Sequence, residues 1–287
     1  MLDAYLDESG VHGGAVACVI AGYYGGRGEW RRFEKGWRKA FADHGVPLAQ
    51  FHALHLVKRR RYFSAAEGWD QERYSSFVAA LASAITAHKI CPVSVSIVVD
   101  DFMSFTEMQR RFFTGATMLN GRLITTGCPN KAYFTPFQNC VKRVASYAPV
   151  GGKANFYFGL DRPFGGYAKV LYEMIKTTPR SDGYRDRLGE TSFPLAKDTP
   201  QLQAADLLAY LTFDHMNRLL ESNQENAPPS DLLNACLVRT RVSEDHSYMN
   251  RSMLQQSLEQ TYQREGRWDG TEVPQIDHEE EDELPTG

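Results

Sequence analysis

Apolar and polar positions fall into blocks that predict alternating strands and helices. Residues 2–6 form a short apolar strand that runs into Asp7-Glu8-Ser9-Gly10. A glycine-rich turn over 11–14 leads to a second apolar run at 15–24, so the opening reads as a hairpin. From Glu29 to His44, the residues Trp30, Phe33, Trp37, Ala40 and Phe41 recur at helical spacing. Residues 51–56 fit either a short helix or a strand. A second periodic helix covers 70–88, and the β-branched run 92–99 predicts a strand. The stretch 102–147 reads as mostly helical, broken at Gly127-Cys128-Pro129-Asn130.

The second half repeats this alternation. Residues 154–160 (ANFYFGL) predict a strand that delivers Asp161 at its end, and 167–176 a helix. A strand is expected over 191–195 and a long helix over 201–220. A polar linker at 223–230 precedes a last helix at 252–264. Strands alternating with helices indicate an α/β architecture carrying a helical insertion at about 102–147. The organisation expected is a main domain over 1–222, a helical extension over 223–268 and a disordered acidic tail over 269–287.

The helix at 201–220 raises a question of its own. Leu202, Ala204, Ala205, Leu207, Leu208, Ala209 and Leu211 make it apolar on nearly every side, the mark of a buried helix. Asp206 sits among them, and a buried carboxylate without compensation costs several kcal/mol or becomes protonated. Gln203, three residues earlier, shares its helical face.

Charge sharpens the picture. The net charge of -3 conceals a tail with eight acids and no Lys or Arg from Asp269 onward. The rest of the chain sets 32 basic side chains against 27 acidic ones, a body that tolerates a polyanion. The five cysteines show no zinc-type spacing and read as reduced. The opening residues lack a basic leader region, and no apolar run reaches the length of a membrane helix, so a soluble, cytoplasmic protein is expected. Neither a phosphate-loop motif, a dinucleotide fingerprint nor a nucleophile elbow is present.

Three aspartates carry the candidate chemistry: Asp7, Asp161 and Asp206. Each has a plain alternative, respectively a turn former, a helix N-cap and an acid paired with a neighbour. Together they form a set that could converge from two strand ends and a late helix. Clustered carboxylates repel unless a cation neutralises them, and an all-oxygen set suits Mg2+ or Mn2+. His52 reads as a proton shuttle, a phosphate contact or a structural histidine. With His55 it makes only a weak zinc candidate. Lys58-Arg59-Arg60-Arg61, followed by Tyr62 and Phe63, is either a solvated loop or a nucleic-acid contact. Arg185 and Arg187 could extend that rim.

YLDESG near the start, paired with QLQAADLLAYL further on, resembles the bacterial family called domain of unknown function 3800. The resemblance spans about residues 2–215 and implies a ribonuclease H-like fold, a central mixed sheet between helices with an acidic site over its middle. It implies that Asp7 is the first-strand aspartate, Asp161 a mid-sheet strand-end acid and Asp206 the acid of the last core helix. It also places Glu8 in the motif, although a strand would turn Glu8 to the face opposite Asp7. Family members often carry an acid two residues before the histidine that His52 matches, where this chain has Gln50.

The expected function is therefore a metal-dependent phosphoryl-transfer enzyme, a nuclease acting on DNA or RNA. Asp7, Asp161 and Asp206 would be its ligands, Glu8 and His52 further site residues, and Lys58, Arg59, Arg60 and Arg61 its nucleic-acid contacts. The alternative from another class is a catalytically silent nucleic-acid-binding module. A hydrolase of small phosphorylated metabolites is a third reading.

Overall fold

A computed structural model describes residues 1–115, 117–119, 122–124, 130–159, 162–177, 183–222, 228–241 and 245–264. Asp161, Cys128 and the acidic tail lie outside the described residues.

The chain opens with β1 (Leu2–Ser9) and β2 (Ala17–Gly26), an antiparallel pair in which Asp7 faces Ala21. Helices α1 (Arg27–Asp43), α2 (Ala53–Val57) and α3 (Gln71–Thr86) follow, then β3 (Cys91–Val98) antiparallel to β2. The expected helical stretch at 102–147 resolves differently. It comprises α4 (Val99–Met103), α5 (Glu107–Phe113), a small hairpin of β4 (Thr117–Leu119) and β5 (Arg122–Ile124), and α6 (Phe134–Ser146). Three-residue strands hold too few positions for their period to register in sequence.

Next come β6 (Ala154–Phe158), α7 (Arg162–Thr177), β7 (Leu188–Ser192) and the long α8 (Pro200–Ser222). The strand expected at 191–195 thus lies earlier in the chain. The chain continues through α9 (Asp231–Cys236), β8 (His246–Met249) and α10 (Arg251–Arg264).

Six strands form one mixed sheet in the order β7-β6-β1-β2-β3-β8. β6 runs parallel to β1, β7 parallel to β6, and β8 parallel to β3. β8 therefore places part of the C-terminal segment inside the sheet. No described helix is long and apolar enough to cross a membrane.

Alternation along the strands builds a core on each face. On one, Ala17, Val19, Ala21 and Tyr23 meet Trp30, Phe33 and Trp37 of α1, Phe77 and Leu81 of α3, and Ala204, Leu207, Leu208 and Leu211 of α8. On the other, Ala4, Leu6, Ile20, Val95 and Phe156 pack against Phe137, Val141 and Val144 of α6 and Leu171 and Tyr172 of α7. Burying each large apolar side chain contributes about 1.5–3 kcal/mol before entropy is charged against it. α8 earns its apolar circumference by lying across β1 and β2 beneath α1 and α2.

Candidate acidic site

Asp7 lies within β1 rather than at its end, because the strand continues to Ser9 through its pairing with β2. The opposite neighbour stops sooner. The β6 ladder ends at the Leu6–Phe158 pair, closed by the Gly159 amide donating to Leu6 O over 3.0 Å. Asp7 therefore occupies the notch where β6 has run out. Gly159 fits there because it has no side chain: a Cβ would stand 2.1 Å from Asp7 Oδ1. Sequence reasoning passed over this glycine, whose signal was an interruption at the end of an aromatic strand.

Asp206 reaches the same region from α8. The Ala53 amide donates to its Oδ2 over 2.9 Å, and His52 Nδ1 stands 3.9 Å from the same oxygen. Ala53 opens α2, so a backbone N–H at a helix start compensates the carboxylate set in the apolar helix. The Asp206 side chain keeps 18% of its surface open to solvent, and His52 keeps 55%.

Gln203 plays no part in this. It accepts from Trp37 Nε1 over 2.9 Å and donates to Leu48 O at 2.9 Å and Lys197 O at 3.3 Å. Those bonds tie α8 to α1 and to the connections on either side. Gln201 likewise donates to Glu34, so the two glutamines of the motif have structural duties.

The electrostatics link the acids. Burial pushes the Asp7 carboxyl well above the usual aspartate range, and the charges of Glu8 and Asp206 push it further. The Glu8 amide donates to Asp7 Oδ1 over 3.0 Å and works the other way. Burial also raises Asp206, while His52 and the Ala53 amide lower it. Glu8 acts electrostatically on Cys18 on the far face, and its charge also raises the Asp7 carboxyl.

The basic run divides in two. Lys58 donates to Asp214 of α8 over 2.7 Å. Arg59 donates to Gln71 and to Trp69 O, both at 2.9 Å, and lies over the Tyr74 ring. These two hold the loop to the body. Arg60 and Arg61 are exposed, and both act electrostatically on His55, whose imidazole is lowered chiefly by burial. The His55 ring centroid is 4.8 Å from that of His52. Arg60 and Arg61 thus lie close to His55, which in turn neighbours His52. Arg187 instead donates to Ser146 O and Ala148 O, and Arg185 lies over the Tyr184 ring.

Among the described residues, no three His, Cys, Asp or Glu side chains gather closely enough to hold a metal ion. Asp161, the expected third ligand, lies outside those residues. What is described is a two-carboxylate site with Glu8 beside it, an all-oxygen set short of positive charge. Its chemistry fits a hard divalent cation. Gln50 is exposed at the end of a single helical turn, Leu48–Gln50.

No family model, curated protein or solved structure matches this chain.

Proposed function

We propose that this protein is a divalent-metal-dependent phosphoryl-transfer enzyme, a nuclease that cuts DNA or RNA phosphodiesters. The observation that carries the reading is that Asp7, in the notch where the β6 ladder ends, lies close enough to Asp206 to feel its charge. The two come from a central strand and a late helix, and both carboxyls are raised by burial. Groups perturbed in this way, at a strand notch, are functional candidates on physical grounds.

The strand order supports a ribonuclease H-like arrangement. The first strand lies mid-sheet, a parallel neighbour ends beside its aspartate, and the last long helix of the main body crosses above. Asp7 and Asp206, with Asp161 as the third member, would hold Mg2+ or Mn2+. Bound there, such an ion supplies an activated water and stabilises charge on the scissile phosphate. The Ala53 amide keeps the Asp206 carboxylate oriented. His52, exposed beside it, is placed to pass a proton to and from solvent. Arg60 and Arg61 draw the polyanion towards the notch.

The test is cleavage of labelled single- and double-stranded DNA and RNA with Mg2+ or Mn2+. The wild type is compared with Asp7→Asn and Asp206→Asn. Cutting that needs the metal and disappears in both variants is the expected result. Cutting undiminished in Asp7→Asn overturns the assignment. One observation favours a second reading, a silent binding module: the described residues supply no third metal ligand. Metal-independent binding without cutting would favour that module.

A further inference from the structure

Opposite the acidic notch, the N-terminal ends of β1, β6 and β7 frame a cleft of about 290 Å3. Arg27, Lys153 and Lys176 bring three cations to its wall, against the carboxylates of Glu190 on the wall and Asp3 beneath Arg27. The cleft is about 13 Å from the notch along β6, the rise of the four steps from Asn155 to Gly159.

The cations are held rather than loose. Lys176 Nζ donates to Gly189 O over 2.9 Å and Lys153 Nζ to Leu188 O over 3.4 Å, neighbouring carbonyls of β7. An ammonium has three donors, so each lysine retains two N–H groups after its carbonyl bond. Among the described residues, neither lysine has a carboxylate partner.

Arg27 Nε donates to Asp3 Oδ2 over 3.3 Å on a side chain 61% exposed, and the terminal guanidinium nitrogens keep further N–H donors. Asp3 is fixed in turn by Asn155 Nδ2 at 2.9 Å, and Asn155 Oδ1 accepts from the Glu190 amide at 3.1 Å. Asn155 is buried, and β7 approaches it so closely that a Cβ on Gly189 would stand 2.3 Å from Asn155 Oδ1. The floor of the cleft is thus a hydrogen-bonded network that anchors Arg27, while the β7 carbonyls hold the two lysines. α1 begins at Arg27 with no side-chain cap, which brings the positive end of a 17-residue helix to the rim.

The geometry points to a phosphate-binding site in this cleft, formed by Arg27, Lys153 and Lys176 over the Asn155–Asp3 floor. Three cations with spare donors exceed the two carboxylates beside them and suit the three terminal oxygens and double charge of a phosphomonoester, which a carboxylate would engage only in part. Two sources share this chemistry: the end of a polynucleotide, or a free phosphate or mononucleotide. The site stands whether or not the acidic notch is catalytic.

The experiment is fluorescence anisotropy of the full chain in chelator, using an oligonucleotide with either a 5′-phosphate or a 5′-hydroxyl. Inorganic phosphate serves as competitor and as a separate calorimetric ligand. The 5′-phosphate should tighten binding about tenfold, the preference should vanish in Lys153→Gln/Lys176→Gln, and Glu190→Gln should widen it. Glu190 is exposed, so that variant keeps the test open if the double variant folds poorly. Binding of inorganic phosphate that depends on both lysines, without a 5′-phosphate preference, supports the site and assigns it to the free ligand. Failure of both probes to bind, or a preference that survives in the double variant, overturns the proposal.

Discussion

The Ala53 amide donates to Asp206 Oδ2 over 2.9 Å, joining the first turn of α2 to the second turn of α8 across 153 residues of sequence. Asparagine can still accept that bond, whereas alanine cannot. In chelator, Asp206→Asn should be at least as stable as the wild type, because it removes a charge that burial disfavours. Asp206→Ala should lose about 1–3 kcal/mol, the usual cost of leaving a buried amide unpaired. Urea denaturation of both variants checks the contrast, and equal midpoints would show that the bond contributes nothing.

Asp7 should make stability depend on pH in an unusual direction. Its folded-state carboxyl lies well above the ordinary 3.8, so folding takes up a proton. The stabilisation is complete below that ordinary value and is lost as pH rises through the raised folded value. Asp7→Asn should flatten this decline in a series of thermal melts. At neutral pH, Mg2+ or Mn2+ should raise the wild-type Tm, with about 2.7 kcal/mol available at a hundredfold excess over Kd. The variant should gain little, and an equal gain in both would place the ion elsewhere.

Gly159→Ala tests the notch by filling it. The added methyl would meet Asp7 Oδ1 at 2.1 Å, so strand or carboxylate must shift. Overpacking of this kind typically costs 1–3 kcal/mol. The larger expected effect is loss of divalent-ion stabilisation in a chain that still folds, read from melts with and without Mn2+.

The two halves of the basic run should separate in binding. Arg60→Ala/Arg61→Ala should lower polynucleotide affinity with little change in Tm. It should also reduce the slope of log K against log salt by about 1.4–1.8, at roughly 0.7–0.9 per phosphate contact. Lys58→Ala/Arg59→Ala should chiefly lower Tm, because those side chains bond Asp214, Gln71 and Trp69 O. A salt slope unchanged in the first variant would remove Arg60 and Arg61 from the interface.

Long elements were legible because their periods are. α1 shows Trp30, Phe33, Trp37, Ala40 and Phe41 at helical spacing, and β3 is β-branched through a buried stretch. Asp206 was legible as a misfit in an apolar helix, but its compensation was not, since the Ala53 amide has no residue-type signature. Gln203 illustrates the opposite error. Helical spacing put it near Asp206, yet its amide turns to Trp37, Leu48 and Lys197, contacts set by how α1 and the loops dock. β8 was missed because four half-exposed residues carry no period, and their strand character comes from pairing with β3. The basic run was legible as charge, while its division followed from where Asp214 and Trp69 lie.

β8 also has a consequence for self-association. It shields the flank of β3, eight residues long and almost wholly buried, and itself offers only four residues to solvent. The other border, β7, spans five residues with a register irregularity against β6. Short, uneven borders are poor templates for docking a foreign strand. A chain cut before Asp245 would bare the long flank, and edge-to-edge aggregation is the expected fate of that fragment.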